Sequence, residues 1–239
     1  MMAAILAVSG RRATQIACSA RMLHDLKDMY PGEFEVIAVP NTVWVPVVSA
    51  KFVPCDNDLI RLGFLSNLNP QKGVFRAIET LRCLQKNGEQ AILYIAGAAP
   101  SSGLVPDFEE LAREFGNAIA YLGKIEGEEK ERFFLSIDYF LFPSLYVHET
   151  QSLVVPEALS YGINVVACNH RYVPELIGDC GHVIDDAEAF SEMAARWIIE
   201  DRSSRLACDG KKDAIARQYA VTHRQSEEAL KSLIAILVP

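Results

Sequence analysis

The sequence contains no stretch of about 18 apolar residues, so no segment reads as a membrane-spanning helix. Nor do the first residues read as a secretory leader. MMAAILAVSGRR sets its two arginines after a very short apolar run, the reverse of a signal peptide. Six cysteines, Cys18, Cys55, Cys83, Cys168, Cys180 and Cys208, include no C-x-x-C, which excludes a repeated zinc or redox framework and reads as reduced core thiols. Together these absences point to a cytoplasmic protein. Positive charge is scarce: 23 Lys and Arg face 31 Asp and Glu, for a net charge of -8, so any anion site is a local pocket and nucleic acid is not an expected partner. His24, His148, His170, His182 and His223 form no close pair for zinc. Neither G-x-x-x-x-G-K-[ST] nor G-x-G-x-x-G occurs, which counts against a kinase or a dehydrogenase.

What is present is a regular alternation. With 239 residues, half of them hydrophobic, the chain can bury a large core. From Asp58 onward, short apolar runs at 59–65, 91–97, 118–123, 138–143, 164–168 and 181–184 alternate with amphipathic segments. That is the pattern of an α/β protein, a parallel sheet covered by helices on both faces. KGVFRAIETLRCLQKNG reads as a helix closed by Gly88, and EGEEKERFFLS as one whose glutamates suit the first turn. Before residue 58, SARMLHDLKDMYPG reads as a helix capped by Ser19 and stopped by Pro31-Gly32, and FEVIAV as a strand. VPNTVWVPVVSAKFVPCDND, with three prolines and no helical period, reads as a linker. Its Asp56-Asn57-Asp58 spells a D-x-D, but its place in that linker makes it structural, and no metal is expected. After residue 186 the chain reads as wholly helical.

One stretch carries chemistry. HETQSLVVPEALSYG (148–162) places Glu149 and Glu157 around an apolar run with seven residues between them. Pro156 lacks a backbone donor and belongs in a first helical turn, so the helix is expected to start near Ser152, with Ser152 as its cap and Gly162 as its terminator. The two carboxylates would stand on the order of 10 Å apart, a ligand's length. The loop leaves the carboxyl end of a strand, where open α/β sheets bind ligands, and a helix start suits a phosphate. A nucleotide diphosphate flanked by hydroxyl-bearing rings fits this arrangement. The alternative is two solvated glutamates, since Glu192 and Glu200 show the same spacing in an ordinary helical pattern.

The stretch resembles the E-x7-E signature of the group 1, or family 4, retaining glycosyltransferases, which have the GT-B fold of two Rossmann-like domains. LSNLNPQKGVFRAIE (65–79) resembles that family's first loop and helix with its diphosphate-binding lysine. AILYIAGA and YLGKI resemble its second and third strands, and NVVACNHRYVPELIGDCGHVIDD the segment after the motif. The resemblance implies a Rossmann-like doubly wound parallel sheet, the C-terminal half of a GT-B fold, with a helical C-terminal tail. It divides the chain into 1–40, the end of an N-terminal domain; 41–58, the interdomain linker; 59–220, the nucleotide-sugar-binding domain; and 221–239, a C-terminal helix. Most of the acceptor-binding domain would then be missing, so the chain is expected to bind donor without transferring sugar, and a complementary N-terminal domain is an expected partner.

The resemblance also assigns roles. Lys72 would contact the diphosphate, Glu149 a hydroxyl of the donor sugar in the catalytic position, and Glu157 the ribose diol. The backbone of Thr150, Gln151, Ser152 and Leu153 would face sugar and phosphates, and Lys124 and Ile125 would lie beside the base. The donor would be UDP- or GDP-linked, with no cofactor. Asn67 stands where the family usually has an arginine, for which Arg171 is a candidate substitute, and Gln151-Ser152 stand where it has Phe-Gly. Those departures keep open a non-catalytic nucleotide-sugar-binding module and, as a further alternative, a sugar-nucleotide epimerase of GT-B architecture.

Overall fold

Period-two alternation in the apolar strands separates two cores, one on each face of a six-stranded parallel sheet. The computed structural model describes residues 14–30, 35–48, 59–99, 105–203 and 208–237. The sheet is built from β3 (Ile60–Leu65), β4 (Ala91–Ala96), β5 (Ile119–Tyr121), β6 (Tyr139–Phe142), β7 (Asn164–Cys168) and β8 (Gly181–Ile184), in the order β5-β4-β3-β6-β7-β8. Leu62, Phe64, Tyr139, Leu141 and Val166 enter one core, beneath α2 (Val74–Lys86), α3 (Phe108–Phe115) and α7 (Phe190–Ser203). Leu65, Phe140, Phe142, Val165 and Ala167 enter the other, beneath α4 (Gly127–Leu135), α5 (Val154–Ser160), α6 (Val173–Ile177) and α8 (Cys208–Leu237). Each fully buried side chain of this size contributes about 1.5–3 kcal/mol. Truncating Leu62, which has no exposed surface, would cost about 2–5 kcal/mol.

The strand order reverses direction between β3 and β6, and at such a switch point the loops part and leave a crevice over the carboxyl ends. Gly97 (φ 138) after β4 is needed here, because a β-carbon at that position would run into the carbonyl oxygen of Ser66 in the loop after β3. At Gly73 (φ 88) a β-carbon would likewise run into the Pro143 carbonyl after β6. The first contact holds the β4 loop against the β3 loop, and the second holds the β3 loop against the β6 loop.

Ahead of the main sheet, β1 (Thr14–Ala17) and β2 (Glu35–Ala38) form a separate parallel pair joined through α1 (Ala20–Met29), and the Ser19 hydroxyl caps α1 by accepting from Met22 N, as expected. The stop at Pro31-Gly32 and the D-x-D lie outside the described residues, as do Cys55 and the Cys208 side chain. Cys83, Cys168 and Cys180 are buried and Cys18 half-buried, all as free thiols, and burial pushes Cys168 up to about 11. The linker begins with a short 3-10 turn, Asn41–Trp44, which α8 grips: Tyr219 donates to the Val45 carbonyl at 2.6 Å, and the Ser226 and Thr42 hydroxyls bond. α8 is one helix of 30 residues, so the expected division between 220 and 221 falls inside a continuous element. Among the described residues no helix is long and apolar enough to cross a membrane.

Candidate functional site

The crevice is furnished by the loop after β3, the loop between β6 and α5, and the start of α4. The β3 loop makes a 3-10 turn, Pro70–Lys72, capped by the Asn69 side chain, which accepts from Gln71 N. Leu145 N donates to the Gln71 carbonyl at 2.8 Å, tying the β6 loop alongside. This places the Lys72 ammonium 2.7 Å from Glu149 Oε2, with Glu149 only 8% exposed. The buried Ser144 hydroxyl donates to the same oxygen at 3.1 Å, and the Tyr146 ring lies beneath Lys72 Nζ, 4.5 Å from its centroid. A half-buried cation is therefore held from two sides, by a carboxylate and by an aromatic face.

A second pair lies further along. Glu157, the fourth residue of α5, has Oε1 at 2.6 Å from the Lys130 ammonium of α4, while its Oε2 is buried and has no hydrogen-bond partner among the described residues. Beside it Tyr161 stacks on Phe134, with centroids 5.3 Å apart, and burial raises its phenol so that it stays neutral.

The helix between the carboxylates starts later than expected. α5 begins at Val154, flanked by Leu153 without a side-chain cap, and Ser152 does not cap it. The reason lies in Gln151, which is buried and doubly bound to the linker: Asn41 N donates to Gln151 Oε1 at 2.7 Å, and Asn41 Nδ2 to the Gln151 carbonyl at 3.0 Å. The loop is held out of helix through that residue. Gly162 (φ 68) follows the helix as its terminator, as expected. With only seven residues, α5 carries a weak dipole, so Lys72 matters more to any anion.

The remaining expected residues are spread around this centre. Asn67 and Thr150 are exposed, Ser152 half-buried and Leu153 44% exposed. Ile125 is buried in the core, and Lys124 makes an exposed 2.6 Å pair with Glu126 that raises its pKa through that hydrogen bond. Arg171 adopts φ 54 and donates to the Val147 carbonyl at 2.9 Å, so it braces the β6 loop. His148 meets the Tyr146 ring edge-on, 5.5 Å between centroids. Sequence reasoning missed Ser144, Tyr146 and Lys130. Lys130 had a signal, being the one lysine in the glutamate-rich EGEEKERFFLS, whereas nothing in the order of residues marked Tyr146 as the floor under Lys72.

The sequence profile of the family described as Glycosyl transferases group 1 matches residues 60–200, more than half of the chain and all six strands of the main sheet. The chain belongs to that family. Among curated relatives, this member of the family is 33% identical over 91 residues to the O-antigen chain mannosyltransferase B of Escherichia coli, covering 37% of this chain and 23% of that protein. It is 28% identical over 157 residues to a sulfoquinovosyl transferase of Arabidopsis thaliana, covering 59% and 29%. These matches span less than a third of the relatives' length. A TarM variant of S. aureus, solved with fondaparinux, α-GlcNAc-glycerol and UDP, superimposes with a TM-score of 0.72 at 15% identity, over 94% of this chain and 43% of that one. That likeness is one of fold, and the fold of this group 1 glycosyl transferase is the C-terminal, Rossmann-like half of GT-B.

Proposed function

We propose that the crevice binds a nucleoside diphosphate sugar, UDP- or GDP-linked, and that in the complete enzyme its sugar passes to an acceptor hydroxyl with retention of configuration. The observation that carries this reading is the pair of lysine-held carboxylates, Glu149 and Glu157, at the β3–β6 switch point. Lys72 is the group to receive the diphosphate, whose oxygens suit a half-buried ammonium. Glu157 accepts from the ribose hydroxyls, and Glu149, released from Lys72, accepts from a hydroxyl of the sugar. Rate enhancement in such a site comes from stabilising the leaving diphosphate and an oxocarbenium-like sugar, work for Lys72 and Glu149. The acceptor would be oriented by a complementary N-terminal half. We place no divalent metal in this scheme, in which Lys72 supplies the charge that meets the diphosphate.

Calorimetric titration with UDP, GDP and their hexose conjugates, each in the presence of a chelator, tests this reading. Saturable binding that survives the chelator is expected. A chelator-sensitive isotherm would replace the lysine-based scheme with a metal-based one, and no binding of any nucleotide would end the donor-site assignment.

A further inference from the structure

A cavity of about 340 Å³ separates the linker from the α4–α5 pair, and it is lined by Trp44, Val45 and Val48 of the linker, Lys130 and Phe134 of α4, and Glu157 of α5. Its size falls at the lower end of small-molecule sites. Trp44 leaves 63% of its surface open although its neighbours Thr42 and Val45 are 1% and 5% exposed. The 3-10 turn is thus anchored on both sides of the indole while the ring itself is left facing outward, next to the cavity. A tryptophan in that position forgoes the large burial term its area offers, and flat ligands recover it. Glu157 also lines the cavity, and its Oε2 is covered and without a donor among the described residues. An acceptor left in that state has a desolvation cost that one hydroxyl removes. The walls therefore ask for two things in one molecule, a flat apolar ring and an adjacent hydroxyl.

We propose that this cavity receives the nucleoside of the donor, with its base lying against Trp44 and a ribose hydroxyl donating to Glu157 Oε2. The inference rests on the donor-site reading and adds a residue to it: the linker, and not the sheet edge alone, supplies the base platform. It also gives the Asn41–Gln151 contact a consequence. The turn that carries Trp44 is bonded to the loop that carries Glu149, so base and sugar subsites are held in one register.

Tryptophan fluorescence and calorimetry on the full chain test this. The other tryptophan, Trp197, is stacked on His182 with centroids 4.9 Å apart, so a Trp44→Phe variant separates the two signals. UDP or GDP is expected to quench the intact protein and not Trp44→Phe. Trp44→Ala is expected to bind both nucleotides roughly tenfold more weakly, the loss a removed base–aromatic stack produces, and Trp44→Phe to keep most of the affinity. Affinity for inorganic pyrophosphate, which has no ring, should be the same in all three. If Trp44→Ala binds UDP and GDP as tightly as the intact protein while Glu157→Ala does not, the platform is overturned and the donor site stands. If the intact protein binds neither nucleotide, both fall. Unchanged thermal unfolding of the exposed-site variants shows that the comparison is of like folds.

Discussion

Lys72–Glu149 and Lys130–Glu157 are pairs of the same residue types at almost the same distance, 2.7 and 2.6 Å, yet one is closed and the other open. Glu149 is buried, its Oε2 shared between an ammonium and the Ser144 hydroxyl, with the ammonium resting on Tyr146. Glu157 spends one oxygen on Lys130 and leaves the other buried and unused. In the closed pair Glu149 Oε2 and the Lys72 ammonium are already shared, so a phosphate competes with Glu149 for Lys72. An open pair keeps its ammonium on one oxygen and offers the other to a hydroxyl once the groups that cover it move aside. The same chemistry thus gives a selective contact at one end of the crevice and a permissive one at the other.

The largest expected effect comes from destroying the open half. Glu157→Ala removes acceptors for the ribose hydroxyls, each hydrogen bond to a charged group being worth about 1.5–3 kcal/mol. UDP and GDP affinity should fall by at least about tenfold for every such bond lost, measured by calorimetry. Next comes the closed half, where the sign reverses. Glu149→Gln keeps the shape but frees Lys72 from its intramolecular counter-ion, so free nucleoside diphosphate should bind roughly tenfold tighter, the worth of one charge-assisted bond, while the sugar-bearing donor gains less or loses. A drop for both ligands would make Glu149 a plain scaffold residue.

Much of this was legible in the order of residues. The six strands fall within a residue or two of their apolar runs because each is flanked by turn residues, and in the central β3, β6 and β7 burial on both faces makes the hydrophobic run and the element coincide. Glu149 and Glu157 were picked out by their spacing together with the strand, loop and helix start around them, and Lys72 through the family resemblance. The start of α5 was not, because Gln151 takes its partner from Asn41, 110 positions away. Tyr146 stayed hidden for the same reason, and the glutamate-rich setting of Lys130 did not reveal its partner Glu157, because that pair joins two helices that meet only after the sheet forms. Local patterns specify elements, whereas pairs across elements need the fold.

Two smaller effects sharpen the contrast. Tyr146→Leu removes the aromatic face under Lys72, a contact worth about 0.5–1 kcal/mol where the cation keeps some solvent, so affinity for nucleoside diphosphate should weaken by a few-fold while Glu157-dependent nucleoside binding holds. Lys124→Ala breaks only an exposed pair with Glu126, and calorimetry should find nucleotide affinity within about twofold of the intact protein, since such pairs are screened by solvent.

The most direct measurement is a crystal structure of the chain with a bound nucleoside diphosphate. The account predicts Lys72 Nζ moved off Glu149 and onto a phosphate oxygen, Lys130 still on Glu157 Oε1, and a ribose hydroxyl on Glu157 Oε2. A diphosphate bound in the crevice beside an intact Lys72–Glu149 pair, or a ribose held away from Glu157, would contradict it.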